Sequence, residues 1–168
     1  QTWQIKSIWS SNNSVPEVHA DKHALEWQGN TLFEGNDGGL YSTGNGGNSW
    51  QYRSVGIVNS QMYKVGISEM DDKVITGLQD NGSKMLNGNT WYDVNGGDGM
   101  ECGVQKNDAN VLYSSVYYGA FARSVDGGAT WTEINATLPN GNWVTPFTID
   151  PQLPTTLYAG FSSLYRST

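Results

Sequence analysis

The sequence predicts an all-β fold of repeated four-stranded antiparallel sheets, on three observations. The 168 residues include 21 Gly, 7 Trp and 9 Tyr, but only 15% are charged. That composition suits short strands and tight turns, not helix interiors, where Gly is costly. Four segments repeat one pattern, two short apolar runs around a small polar turn, which is a hairpin signature. Trp50, Trp91 and Trp131 recur at intervals of 41 and 40 residues, the length of one four-stranded propeller blade. Together these observations predict a partial β-propeller.

The hairpins fall in order. Leu32–Gly35 leads through Asn36–Gly39 to Leu40–Thr43, and Val74–Gly77 leads through Gln79–Gly82 to Lys84 and Met85. Leu112–Ser115 leads through Tyr117–Gly119 to Phe121–Ser124, and Leu157–Gly160 leads to Leu164–Ser167. One more strand precedes each hairpin, at His19–Trp27, Met62–Ser68, Met100–Gln105 and Trp143–Ile149. An outer strand opens at each of the three Trp residues. Blades are therefore expected over residues 11–56, 57–96 and 97–137, with the first three strands of a further blade over 138–168. Residues 1–10 are expected to hold an outer strand of a preceding or closing blade, because Gln1-Thr2-Trp3-Gln4-Ile5 matches Ala129-Thr130-Trp131-Thr132-Glu133. No segment sustains the 3.6-residue period of a helix. The chain reads as an excerpt of a longer protein, with other blades of the same protein among its partners.

Charge narrows the function classes. A net charge of −7 opposes a nucleic-acid partner, which would require clustered Lys and Arg. No apolar run is long enough to span a membrane. Cys102 is the single cysteine and cannot form an internal disulfide. Asn-x-Ser/Thr sequons start at Asn12, Asn81 and Asn135.

One turn carries a specific motif. Ser124-Val125-Asp126-Gly127-Gly128-Ala129-Thr130-Trp131 has the Asp-box pattern Ser-x-Asp-x-Gly-x-x-Trp. In such a turn the Asp accepts hydrogen bonds from turn amides, glycines supply positive φ, and the Trp covers the hairpin. Asp126, Gly128 and Trp131 are therefore expected to be structural. Ser42–Trp50 reads as a degenerate copy, with Asn45 in the place of Asp and one extra residue. In register with 40-residue repeats, the two turns make the chain resemble the BNR/Asp-box propellers, a superfamily that includes sialidases, family 74 xyloglucanases and the sortilin luminal domain. Val18–Leu25 followed by Gly35–Gly39 is similar to a subgroup of secreted Bacteroidetes proteins associated with type IX secretion. The resemblance implies an extracellular or outer-surface location.

In a propeller, the loops entering inner strands and those joining second to third strands share one face, opposite the Asp-box turns. On that face the sequence places His19 and Asp21, Asn36 and Asp37, Asp80 and Asn81, Asp98 with Glu101, and Tyr117 with Tyr118. Strand alternation would put His19, Asp21 and His23 on one side, with Leu25 and Trp27 continuing into packing. Those three groups can ligate a metal, transfer protons, or simply brace neighbouring inner strands around a channel. Glycine-flanked Asp37, Asp80 and Asp98 suit turn chemistry. They also suit a glycosidase carboxylate pair, a Ca²⁺ or other divalent-cation site, or acceptors for sugar hydroxyls. Tyr117, Tyr118 and Trp143 are candidate stacking surfaces for sugar rings, or else blade packing. A sialidase is disfavoured, since its three convergent arginines would have to be Arg53, Arg123 and Arg166, the only three present. The leading expectation is a secreted or cell-surface propeller that recognises a glycan or a surface protein. The alternatives are a family 74-like glycoside hydrolase and a protein-interaction platform or secreted cargo within a surface assembly.

Overall fold

The computed structural model describes residues 1–10 and 14–167; the sequon at Asn12 lies outside them. The chain divides into two compact units, Gln1–Asn59 and Ser60–Thr168. The first unit holds one sheet, β1(Lys22–Gln28), β2(Thr31–Asn36), β3(Gly39–Thr43) and β4(Gln51–Tyr52), paired antiparallel in chain order. The second unit repeats that arrangement twice. β5(Met62–Ile67), β6(Val74–Leu78), β7(Gly82–Asn87) and β8(Thr90–Asn95) form one sheet. β9(Gly99–Gln105), β10(Asp108–Val116), β11(Ala120–Ser124) and β12(Thr132–Glu133) form the next. β13(Phe147–Ile149), β14(Leu157–Gly160) and β15(Leu164–Arg166) make a three-stranded sheet with β15 at its edge. The fold is all-β, and its sheets are blades of a partial β-propeller.

Residues 1–7, expected to include an outer strand, form no strand. The first backbone pairing is a parallel bridge between Ile8 and Glu17, and Trp3 is 93% exposed. Lys6 is anchored instead to the turn before β4, its carbonyl accepting from Trp50 Nε1 at 3.1 Å. The strand expected from Trp143 starts only at Phe147, leaving Trp143 in a loop.

Both box-like turns close by the same hydrogen bonds. Ser124 Oγ accepts from the Gly128 amide at 2.9 Å, and Asp126 Oδ1 accepts from the Thr130 amide at 2.9 Å. Thr43 Oγ1 likewise accepts from the Gly47 amide at 3.0 Å, and Asn45 Oδ1 from the Ser49 amide at 3.0 Å. The copy therefore starts at Thr43, not Ser42, and contains no extra residue. An amide oxygen serves there as well as a carboxylate, because each only has to accept. The Thr130 hydroxyl and amide, with the Ser124 hydroxyl, hold the Asp126 carboxyl down at about 2.

Sheets of the second unit pack through two hydrophobic clusters. Ile75, Met85, Cys102 and Leu112 are buried together, with Val94, Val104 and Trp131 against them. Each such aliphatic side chain contributes about 1.5–3 kcal/mol by leaving water. Val111, Tyr113 and Leu157 form the next cluster, against Phe147 and Ile149. Glycines set how closely the sheets approach: a Cβ on Gly77 would lie 2.0 Å from the Met100 carbonyl oxygen, and one on Gly66 would lie 2.8 Å from Gly103 Cα. Trp131 and Trp50 are half-buried beside their box-like turns. Trp91, whose hairpin carries no box-like turn, lies in β8 as the expected outer strand and is 54% exposed.

Candidate functional site

In both units the polar groups of the predicted ligand face gather at the start of an inner strand, and a register shift aims one side chain there. In β1 the pairing shifts between Lys22 and Ala24, so His23 is the extra residue. In β5 it shifts between Met62 and Lys64, so Tyr63 occupies the same position in the repeat. A bulged residue leaves the regular alternation and turns its side chain toward the strand's end.

In the first unit, His23 Nε2 meets Asp37 Oδ1 at 2.5 Å. His19 lies against the β2–β3 turn instead, and a Cβ on Gly38 would fall 2.4 Å from His19 Cβ. Asp21 has a φ of 51°, which ends strand geometry before β1. The expected shared side for His19, Asp21 and His23 is therefore absent, and their ligand atoms form no three-membered metal group among the described residues. Leu25 and Trp27 do not continue into packing; they are 62% and 58% exposed. Beneath this rim sits a network that sequence reasoning missed. Glu34, only 3% exposed, pairs with Lys22 at 3.1 Å and accepts from Asn36 Nδ2 at 3.0 Å. Asn36 Oδ1 in turn accepts from the Gly38 amide at 2.9 Å. Asn36 is thus a turn former, and at this rim Asp21 and His23 are exposed while His19 is half-buried.

In the second unit the loops converge more closely. Asp98 Oδ1 accepts from the Asp80 amide at 2.6 Å, tying the β8–β9 loop to the β6–β7 turn. Asp80 holds a left-handed φ of 58°. Asn81 Nδ2 donates to the Gln79 carbonyl at 3.0 Å. Asp80 and Asn81 line an open polar depression of about 600 Å³ together with Lys84, Asp93 and Asn95. Glu101 is only 13% exposed and pairs with Lys64 at 3.3 Å. That ion pair joins the inner strands β5 and β9, so Glu101 braces the blades instead of facing the loops.

Beside this polar half stands an aromatic one. Tyr117 and Trp143 stack with ring centres 5.4 Å apart and planes 11° from parallel. Tyr118 meets both edge-on, at 5.4 and 5.6 Å, and holds a left-handed φ of 63°. Its carbonyl accepts from the Gly141 amide at 2.8 Å, and its amide donates to the Trp143 carbonyl at 3.3 Å. Trp143 Nε1 donates to the Tyr63 hydroxyl at 3.2 Å, which itself donates to Gln79 Oε1 at 2.9 Å. A Cβ on Gly97 would touch Val116 at 3.3 Å and Tyr117 at 3.7 Å, so the Asp98 loop abuts the aromatic stack. Tyr118, Trp143 and Tyr117 remain 51%, 42% and 38% exposed. Sequence reasoning missed Tyr63 and Gln79. Their signal was position alone, one at the head of an inner strand and one at the tail of a second strand.

No protein-family model matches the chain, and no curated protein matches its sequence. Solved structures do match. An ancestral GH74 enzyme is 18% identical over 88% of this chain, with a TM-score of 0.54. The GH74 xyloglucanase from Xanthomonas campestris is 15% identical over 94% of it, with a TM-score of 0.51. The chain spans 22% and 26% of those two proteins. At such identity the likeness shows the propeller fold alone. YCF48 from Cyanidioschyzon merolae is a more distant match, at a TM-score of 0.48.

Proposed function

We propose that the chain belongs to a secreted or cell-surface propeller of the Asp-box kind that binds a glycan on its loop-rich face. The Tyr117–Trp143 stack carries the reading. It leaves aromatic surface exposed beside fixed hydrogen-bond acceptors, the combination that a sugar ring requires: an apolar face to stack and hydroxyls to bind. Asp80, Asn81 and Asp98 supply the polar edge, and Tyr63 fixes the indole's orientation. The matching turns at Asp126 and Asn45 support the Asp-box assignment, and the segments Val18–Leu25 and Gly35–Gly39 support the secreted, Bacteroidetes-type setting.

The carboxylates favour binding over hydrolysis. Asp98 accepts from the Asp80 amide and Glu101 pairs with Lys64 across two inner strands, so both carboxylates already hold the loops and blades together. Titration calorimetry with xyloglucan and other β-glucan oligosaccharides tests the reading, alongside quenching of tryptophan fluorescence. Binding that is lost in Trp143→Ala and Tyr117→Ala, without release of reducing ends, is expected. Absence of saccharide binding across the panel would overturn it, as would binding indifferent to Trp143→Ala.

A further inference from the structure

The segment that joins β8 to β9 carries a chemistry that needs no ligand. Asparagine followed by glycine can close on itself: the glycine nitrogen attacks the side-chain amide carbon and forms a five-membered imide, unhindered by a Cβ. The chain contains five Asn-Gly steps, beginning at Asn45, Asn81, Asn87, Asn95 and Asn140. Their hydrogen bonds separate them. Asn45 is locked in its turn, its oxygen accepting from the Thr43 hydroxyl and the Ser49 amide and its nitrogen donating to the Ser49 hydroxyl. Asn81 spends its side-chain nitrogen on the Gln79 carbonyl, and Gly82 opens β7 opposite Leu78. Asn87 is held in the β7–β8 ladder opposite Thr90. After Asn140, the Gly141 amide donates to the Tyr118 carbonyl at 2.8 Å, which engages the nucleophile.

Asn95 differs from all four. It ends β8, and the exposed Gly96 and Gly97 follow it outside any strand. The Gly96 amide donates to Asn95 Oδ1 at 3.0 Å, so the nitrogen already lies against the group it would attack. A rotation about the Cβ–Cγ bond carries it from that oxygen to the carbon. Nothing lies within 4 Å of the Gly96 Cβ position, which leaves room for the ring. The side-chain nitrogen has one weak tie, to Ser114 Oγ at 3.4 Å.

We propose that Asn95–Gly96 is a site of spontaneous imide formation and deamidation that slowly releases the Asp98 loop from the Asp80 turn. The Gly96 nitrogen loses its proton to hydroxide and bonds to Asn95 Cγ. The Cγ–Nδ2 bond breaks, and the nitrogen leaves as ammonia with a proton from water. Water then opens the imide at either carbonyl, giving aspartate or iso-aspartate. Both products put a new carboxylate in the depression that Asp80, Asp93 and Asn95 line. Iso-aspartate also lengthens the main chain just before Asp98, which draws Asp98 Oδ1 off the Asp80 amide that it now meets at 2.6 Å.

Ageing the full chain in mildly alkaline buffer tests this, read by peptide mass mapping and by enzymatic methyl labelling of iso-aspartate. Asn95 should convert first, about tenfold ahead of Asn45, Asn81 and Asn140, and Gly96→Ala should slow it about tenfold. Repeating the ageing in guanidinium separates the fold's contribution from the dipeptide's. Unfolding should speed Asn45 and Asn140 about tenfold but leave Asn95 within about twofold, because native hydrogen bonds protect only the former. A rate at Asn95 that rises with the others would overturn the proposal, as would earlier conversion at Asn45 or Asn87. Hydrogen exchange at the Asp80 amide reads the consequence. Faster exchange in the iso-aspartate fraction is expected, and unchanged exchange would refute the release of the loop.

Discussion

Tyr117 and Trp143 come from loops 26 residues apart in sequence, yet their rings lie 11° from parallel at 5.4 Å. The stack is held from behind, because the Trp143 N–H is spent on the Tyr63 hydroxyl and that hydroxyl on Gln79. Its orientation is fixed before any ligand arrives. Tyr63→Phe keeps the ring and removes both hydrogen bonds. The expected cost is about 1 kcal/mol of stability by chemical denaturation, with saccharide affinity weakened at unchanged stoichiometry.

Asp126 makes stability depend on acid. Its folded carboxyl sits at about 2, below the ordinary 3.8, chiefly through the Thr130 hydroxyl and amide. A lowered folded value means that the contribution is complete above the unfolded value and is lost as pH falls from about 4 toward 2. Melting temperature measured across that window should drop less steeply in Asp126→Asn than in the native chain. Asn45 shows that an amide serves in this turn. An unchanged acid slope would mean the hydrogen bonds do not distinguish carboxylate from amide.

Cys102 sets the opposite limb. Burial, opposed only weakly by backbone hydrogen bonds from Gly77 and Gly66, raises its thiol to about 11 from 9.0. A raised folded value means that stability is complete below the unfolded value and declines as pH rises from about 9 to 11. Cys102→Ala should flatten that alkaline decline. In the native chain at neutral pH, a thiol reagent should label Cys102 only at the rate of unfolding.

Gly77 tests the packing between inner strands. With the Met100 carbonyl 2.0 Å from any added Cβ, Gly77→Ala must push strand β9 away, at a cost of about 1–3 kcal/mol or more. Gly96, with nothing within 4 Å of its Cβ position, is the control. Gly96→Ala should leave the denaturation midpoint within experimental scatter.

The two tryptophans differ in what they cover. Trp131→Ala removes a partly buried ring from the Met85–Leu112 cluster and should cost about 3 kcal/mol, the low end for such truncations. Trp91→Ala should change stability by about 0.5 kcal/mol or less, as for exposed positions in general. Equal losses at both sites would contradict the exposure seen at Trp91.

The blades were legible because their signals are local. Alternation and turn residues place the hairpins at 31–43, 74–87, 108–124 and 157–166 within a few residues of their sequence positions, and the three tryptophans mark where outer strands open. The site was legible only in part. Register shifts at His23 and Tyr63 depend on how a partner strand pairs, so alternation counted along one strand misplaced His19 and Asp21. The Lys22–Glu34 and Lys64–Glu101 pairs link residues 12 and 37 apart, beyond any single-strand pattern. Adjacent hydroxyls at Ser42 and Thr43 made the frame of the Asn45 turn ambiguous, and only the amide bonds resolve it.

The pairing order carries a kinetic consequence. Every sheet joins strands that are consecutive in the chain, so no strand has to wait for a distant partner before it can form its ladder. Loop closure is short throughout, which favours rapid formation of each sheet. A ribosome would release these sheets one at a time, in order, each able to condense on the one before it. A stalled or truncated chain would therefore hold finished sheets behind a ragged last one, with the exposed edge confined to the most recently made strand.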